Sequence, residues 1–209
     1  MFLADLFEAP VAAVKKTVVI IPGGFHPPHT GHLSLFQSAQ QAFPGADIYY
    51  AATNDTKERP FPFAIKQKLA QIAGVNPAQF VQVKSPFVAQ EITSKYNANT
   101  TAAIWVRSEK DRDSFPKPGG TKKDGTPSYL QPLGKTLMPL SQHGYMAYLP
   151  AIQFKAGASG VTSATEIRNK WATATPAAKA QIVKDLYPRV GTNANAVNQV
   201  IGLLNSAMG

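Results

Sequence analysis

Between Lys15 and Val106, four short apolar runs alternate with three amphipathic stretches. The runs are "KTVVII", "ADIYYAAT", "QFVQV" and "TAAIWV". They are rich in β-branched and aromatic residues and too short for helices, so they read as strands. Between them, His29 to Phe43 carries a helical stripe of Leu33, Leu35, Phe36, Ala39 and Phe43. "PFAIKQKLAQIAGV" is stopped by Gly74, and "SPFVAQEITSKYN" opens with Ser85 as a cap and Pro86 at the first helical position. Such a chain can satisfy its strands only by pairing them in parallel, with right-handed helical crossovers. "YMAYLP" reads as a fifth strand. The expected class is α/β, a Rossmann-like three-layer α/β/α arrangement around a five-stranded, mainly parallel sheet.

Regularity breaks on both sides of this block. Residues 1 to 14 read as an amphipathic arm with Phe2, Leu3, Leu6 and Phe7 on one side and Pro10 ending it. It either folds back on the domain or docks on a partner, a second copy included. Residues 107 to 142 are rich in Gly, Pro and charge and read as a long basic loop inserted into a domain spanning 15 to 171. Residues 172 to 209 hold two helices packed on it, one capped by Thr175 with Pro176 following.

Charge narrows the partners. The chain carries 21 Lys and Arg against 12 Asp and Glu, a net charge of +9, which favours anionic ligands. No acid stands between Glu8 and Asp47 or between Asp124 and Glu166, a weak pointer to an anion site. No nucleic-acid recognition motif accompanies the charge. No apolar run reaches the roughly 18 residues of a membrane span, and the acidic start is unlike a secretory signal. The lack of cysteine excludes thiolate metal sites and suits the cytoplasm.

The first strand runs into "PGGFHPPHTGH", which holds three of the four histidines, His26, His29 and His32. In an open parallel sheet ligands bind beyond the carboxyl ends of the strands. Glycines there let a backbone approach a ligand, and the next helix offers free N–H groups to an anion. His29 and His32, three apart with Gly31 between them, suit a phosphate chain. Three rival readings stand beside this one. A three-histidine metal site meets Pro27 and Pro28, which break any common helix with His26, and no Cys or acid is near to complete the shell. A dinucleotide site would want G-x-G-x-x-G, which is absent. The histidines could also be structural only. His26, before two prolines, reads as dispensable.

"GGFHPPHTGH" resembles the G-x-F-x-P-x-H-x-G-H signature of the HxGH nucleotidyltransferases, with Gly24, Phe25, Pro27, His29, Gly31 and His32 matching. The superfamily includes nicotinamide mononucleotide adenylyltransferases and glycerol 3-phosphate cytidylyltransferases. Its second signature, I-S-S-T-x-I-R, resembles "TSATEIR", where Ser163, Thr165, Ile167 and Arg168 match, Thr162 replaces Ile and Ala164 replaces Ser. The local logic is again a helix start, with Ser163 as cap and Glu166 completing a capping box.

The resemblance implies transfer of a nucleoside monophosphate, AMP from ATP or else CMP from CTP, to a phosphorylated small-molecule acceptor such as nicotinamide mononucleotide, releasing pyrophosphate. It implies that His29, His32 and Arg168 act on the triphosphate, that Ser163 and Thr165 hold its outer phosphates, and that Gly23, Gly24 and Phe25 lie against the nucleotide. It also implies Mg²⁺ bridging phosphate oxygens, with no metal held by the protein itself. Many members carry Gly-x-Asp after the fourth strand; here Arg107 and Glu109 stand in "WVRSEKDRD". Lys57, Arg59 and Arg107 are the candidates for the second substrate. The nonstandard middle also resembles cytidylyltransferase-like proteins of tailed bacteriophages. That opens an alternative: a catalytically altered domain kept as a structural or docking protein, with a virion-associated location.

Overall fold

A computed structural model describes residues 13–56, 60–150, 154–157, 159–161 and 163–208. The first 12 residues of the arm, Lys57, Arg59 and Thr162 lie outside the described residues. The elements run β1 (Lys16–Gly23), α1 (Thr30–Ala42), β2 (Asp47–Ala52), α2 (Phe63–Ala73), β3 (Phe80–Gln82), α3 (Gln90–Thr93) and β4 (Thr101–Ser108). There follow β5 (Leu130–Pro132), β6 (Gly144–Leu149), β7 (Phe154–Ala156), β8 (Ser159–Val161), α4 (Ala164–Thr173), α5 (Pro176–Leu186) and α6 (Ala194–Met208).

The main sheet is Rossmann-like and parallel, in the order β3-β2-β1-β4-β6-β5. It has six strands, one more than the sequence predicts. The sixth, β5, lies in the segment read as loop, where it pairs Leu130 to Pro132 with Gly144 to Met146. Its proline is tolerated because the strand is short and at the sheet edge. β7 and β8 form a separate antiparallel pair. The helix expected over "SPFVAQEITSKYN" shrinks to α3. The Val88 and Ala89 amides turn back onto the Ser85 carbonyl, and Ala89 takes left-handed backbone at φ +46°, which ends that turn before α3 begins.

β1 is buried on both faces, as a central parallel strand requires. Val19 and Ile21, with Ile104 and Val106 of β4, pack against Phe36 and Ala39 of α1 and Ala70 of α2. Val18 and Ile20, with Ala103 and Trp105, pack on the other face against Ile92 of α3. A third cluster joins Leu69 and Ala73 of α2 to Ile167 and Trp171 of α4, Val183 and Leu186 of α5, and Val200 and Leu204 of α6. No helix among the described residues is long and apolar enough to cross a membrane.

Chain order reverses at β1, which has β2 on one side and β4 on the other. The crevice outside the carboxyl ends of β1 and β4 is therefore the place where an open α/β sheet receives a ligand.

Candidate functional site

The turn from β1 into α1 is tightly determined. A Cβ on Gly23 would stand 2.8 Å from the Phe25 ring, which leaves no room for a side chain. Phe25 has left-handed backbone, φ +53°, an uncommon state for a bulky residue. What holds it is its ring, buried edge-on against His32 and Tyr50 and beside Phe80.

His26 has a structural part rather than being dispensable. It is 2% exposed. Its Nδ1 accepts from the Phe61 amide at 3.3 Å, and its carbonyl accepts from Arg168 Nη1 at 2.7 Å. Tyr187, buried after α5, donates its hydroxyl to the Pro28 carbonyl at 2.6 Å. Tyr50 donates to the His32 carbonyl at 3.0 Å.

His29 and His32 together cap the start of α1. His29 is the N-cap of α1, with extended backbone, and its Nδ1 accepts from the Gly31 amide at 3.1 Å. His32, at the third helical position, turns its Nδ1 back to accept from the His29 amide at 3.2 Å. This is a capping box in which imidazoles do the work usually given to Ser and Glu. The ring centroids stand 3.9 Å apart. Because each Nδ1 accepts, each neutral ring carries its proton on Nε2, an assignment that follows from the hydrogen bonds.

Electrostatics keeps both rings neutral. Burial lowers the His32 pKa to about 3, and the nearby Lys110 charge adds to the shift. Burial, then His32, then Lys110 hold His29 well below the ordinary histidine range. The pair is thus two neutral N–H donors at physiological pH rather than two cations. Phe154 stacks on the His29 ring at 4.3 Å. It also explains Gly31, whose added Cβ would stand 2.7 Å from that phenyl ring.

The second helix start lies across the turn. Ser163 caps α4, its Oγ accepting from the Glu166 amide at 3.2 Å and donating to Glu166 Oε1 at 2.8 Å. The Ser163 hydroxyl proton is therefore directed to a carboxylate. Arg168 reaches back to the His26 carbonyl with Nη1 and to Thr165 Oγ1 with Nη2, at 3.1 Å. One side chain thus joins two segments 142 residues apart in sequence. Lys110, just beyond β4, carries a charge that acts on both histidines, and the sequence reading passed over it within a run of charges. Phe154 was missed too, since nothing in "IQFKAG" links it to a helix start so distant in the chain.

Arg107 is not brought to the histidines. It donates to the Ser114 carbonyl at 3.0 Å and lies over the Phe87 ring at 5.5 Å, so it pins its own loop. A separate polar cleft of ≈ 640 Å³ opens beside the ends of β2 and β3, lined by Thr53, Asn54, Asp55, Gln82, Lys84 and Glu91. Among the described residues no three of His, Cys, Asp and Glu converge as metal ligands.

No family model matches this chain, and no curated protein does. Among solved structures, it is similar to a bifunctional NMN adenylyltransferase/ADP ribose pyrophosphatase from Francisella tularensis, complexed with AMP and a Mn ion. The identity is 15%, the TM-score 0.47, and the match covers 92% of this chain and 52% of that one. The chain thus spans about half the length of that neighbour. A likeness this distant says nothing about what the chain binds, and the site is argued from its own residues.

Proposed function

We propose that the protein is a nucleotidyltransferase that moves AMP from ATP to a phosphate-bearing acceptor of the nicotinamide mononucleotide kind, releasing pyrophosphate. The observation that carries the reading is the bond from Arg168 to the His26 carbonyl. It draws the start of α4 up to the paired N–H donors at the start of α1. Two helix N-termini and two neutral imidazoles then face a crevice on a chain of charge +9, a setting suited to a polyphosphate.

The chemistry asks little acid–base work of the chain. An acceptor phosphate, already ionised at neutral pH, attacks the α-phosphorus, and the bond to the pyrophosphate oxygen breaks in line. His29 and His32 donate their Nε2 protons as hydrogen bonds to oxygens that gain charge, without giving them up. Arg168 fixes the opposing helix start and adds positive charge beside the leaving phosphates. The ring stacking and mutual capping hold both donors in place before substrate arrives, which is where such a site gains rate.

The test is pyrophosphate release by purified protein given ATP or CTP, Mg²⁺ and a panel of phosphomonoester acceptors. Release with ATP and nicotinamide mononucleotide supports the reading, and release with CTP alone transfers it to cytidylyl chemistry. Triphosphate binding without turnover supports the second reading, an altered domain with a docking role. Two observations favour that second reading: Arg107 is tied to its own loop, and the Glu166 carboxylate already holds the Ser163 hydroxyl. No binding and no release overturns both.

A further inference from the structure

Ser108 is the last residue of β4. It is 8% exposed, and its Oγ, closed to solvent, has no hydrogen-bond partner among the described residues. A buried hydroxyl left so is uncommon and needs a reason. Position supplies one. Ile104 and Val106 pack on the face that carries α1, whereas Ala103 and Trp105 pack on the other. Two-residue alternation therefore aims Ser108 at the α1 side. β1 and β4 pair Ile20 with Trp105, and the same register carried on sets Ser108 beside Gly23. The hydroxyl thus ends at the switch-point crevice, where α1 begins. Thr30, the first residue of α1, has a second buried hydroxyl oxygen without a partner. Two residues beyond Ser108, Lys110 is close enough to act on both imidazoles.

We infer that Ser108 donates its hydroxyl to a phosphate oxygen of the bound triphosphate, so that the end of β4 forms the second wall of the phosphate grip, with Lys110 as its charge. The inference rests on the triphosphate reading proposed above and adds to it a residue that neither sequence motif contains. The hydroxyl is left without a partner in the folded protein because its partner is the ligand. An N–H or O–H bond to a charged acceptor is the strong kind, so its removal is visible in affinity.

The experiment is calorimetric titration of wild type, Ser108→Ala and His29→Asn with magnesium ATP and, separately, with inorganic tripolyphosphate, beside thermal unfolding without ligand. Ser108→Ala is expected to weaken both probes about tenfold or more, while the unliganded protein melts at or above the wild-type temperature. Ser108→Cys, which keeps the volume and offers a poor donor, should repeat the loss. Unchanged affinity with a lowered melting temperature overturns the inference and makes the hydroxyl a structural group. Weaker ATP with unchanged tripolyphosphate also overturns it, since the contact would then be to the nucleoside. If wild type binds and His29→Asn weakens binding but Ser108→Ala does not, this inference alone fails. If wild type binds neither probe, the nucleotidyltransferase reading fails and takes this one with it.

Discussion

The two walls of the crevice are built differently. The turn after β1 is locked from three distant parts of the chain: Phe61 ahead of α2, Arg168 on α4 and Tyr187 after α5 each bond to it. The segment after β4 is held by lighter contacts, with Arg107 over the Phe87 ring and Arg112 over the Tyr148 ring. Glu109 and Lys110 are exposed, Ser108 has a buried hydroxyl oxygen without a partner among the described residues, and Arg107 donates to the backbone of its own loop. The contrast separates two ways of making a site. One wall is finished on folding and offers fixed donors, while in the other, on the inference above, the Ser108 hydroxyl finds its partner in the ligand. Changes to the first wall should damage catalysis where a donor is lost and stability where a tie is cut. Changes to the second should be felt in binding alone.

The largest effect should come from removing one imidazole donor while leaving its cap. His29→Asn keeps an N-cap residue, and His32→Gln keeps an acceptor at the third helical position. Each deletes an Nε2–H. Pyrophosphate release should fall about 10² to 10³-fold in kcat, as for other charge-stabilising donors, with the melting temperature nearly unchanged. A fall below tenfold would show that the fixed wall is scaffold, not chemistry.

Next in size is the tie that holds that wall. Tyr187→Phe removes the hydroxyl that serves the buried Pro28 carbonyl. Burial pushes the Tyr187 phenol well up, so it is a neutral donor throughout. Leaving that carbonyl unsatisfied should cost about 1–3 kcal/mol, a fall of about 2–4 °C for each kcal/mol in a chain of this size. An unchanged melting temperature would mean that the turn holds itself.

Much of this was legible in the sequence, for reasons the comparison makes plain. β1 and β4 are buried on both faces, so their composition alone marks them. His29, Gly31 and His32 are visible because their spacing is local. β5 was not legible: three residues ending in proline have no period to detect, and they form a strand only because β6 leaves an edge to pair with. Ser85 and Pro86 carry a true helix-start signature, yet the left-handed Ala89 ends the turn three residues later. The tautomers were hidden as well, because they depend on the backbone amides of Gly31 for His29 and of His29 for His32. Arg168 meeting the His26 carbonyl is a fact of tertiary packing that no window along the chain contains.

Acid should distinguish the walls in a graded way. The folded pKa of His32 is about 3, against 6.5 when unfolded, and that of His29 is also well below 6.5. Below pH 6.5 the unfolded chain therefore takes up protons that the folded chain refuses. Stability contributed by keeping these rings neutral is complete above that pH and declines as pH falls toward 3. The slope is at most about 1.4 kcal/mol per pH unit for each histidine. Melting temperatures from pH 7 to 4 should trace it, and a variant carrying both His29→Asn and His32→Gln should flatten it. An equal slope in that variant would assign the acid sensitivity to other groups.

The smallest effect is expected at Arg107, which most directly tests whether the second wall is unfinished. Its guanidinium bonds to the Ser114 carbonyl at 3.0 Å and lies over Phe87, and both contacts are near solvent. Arg107→Ala should therefore cost less than about 1 kcal/mol, in the range of partly exposed polar contacts. What it should alter is the order of the segment it holds, read as faster proteolysis near Phe115, which is 85% exposed. Nucleotide affinity should shift less than about threefold, because the side chain follows Trp105 onto the α3 face of the sheet, away from the imidazoles. If affinity instead drops as far as in His29→Asn, Arg107 reaches the ligand after the loop rearranges, and the second wall is one that closes on its substrate.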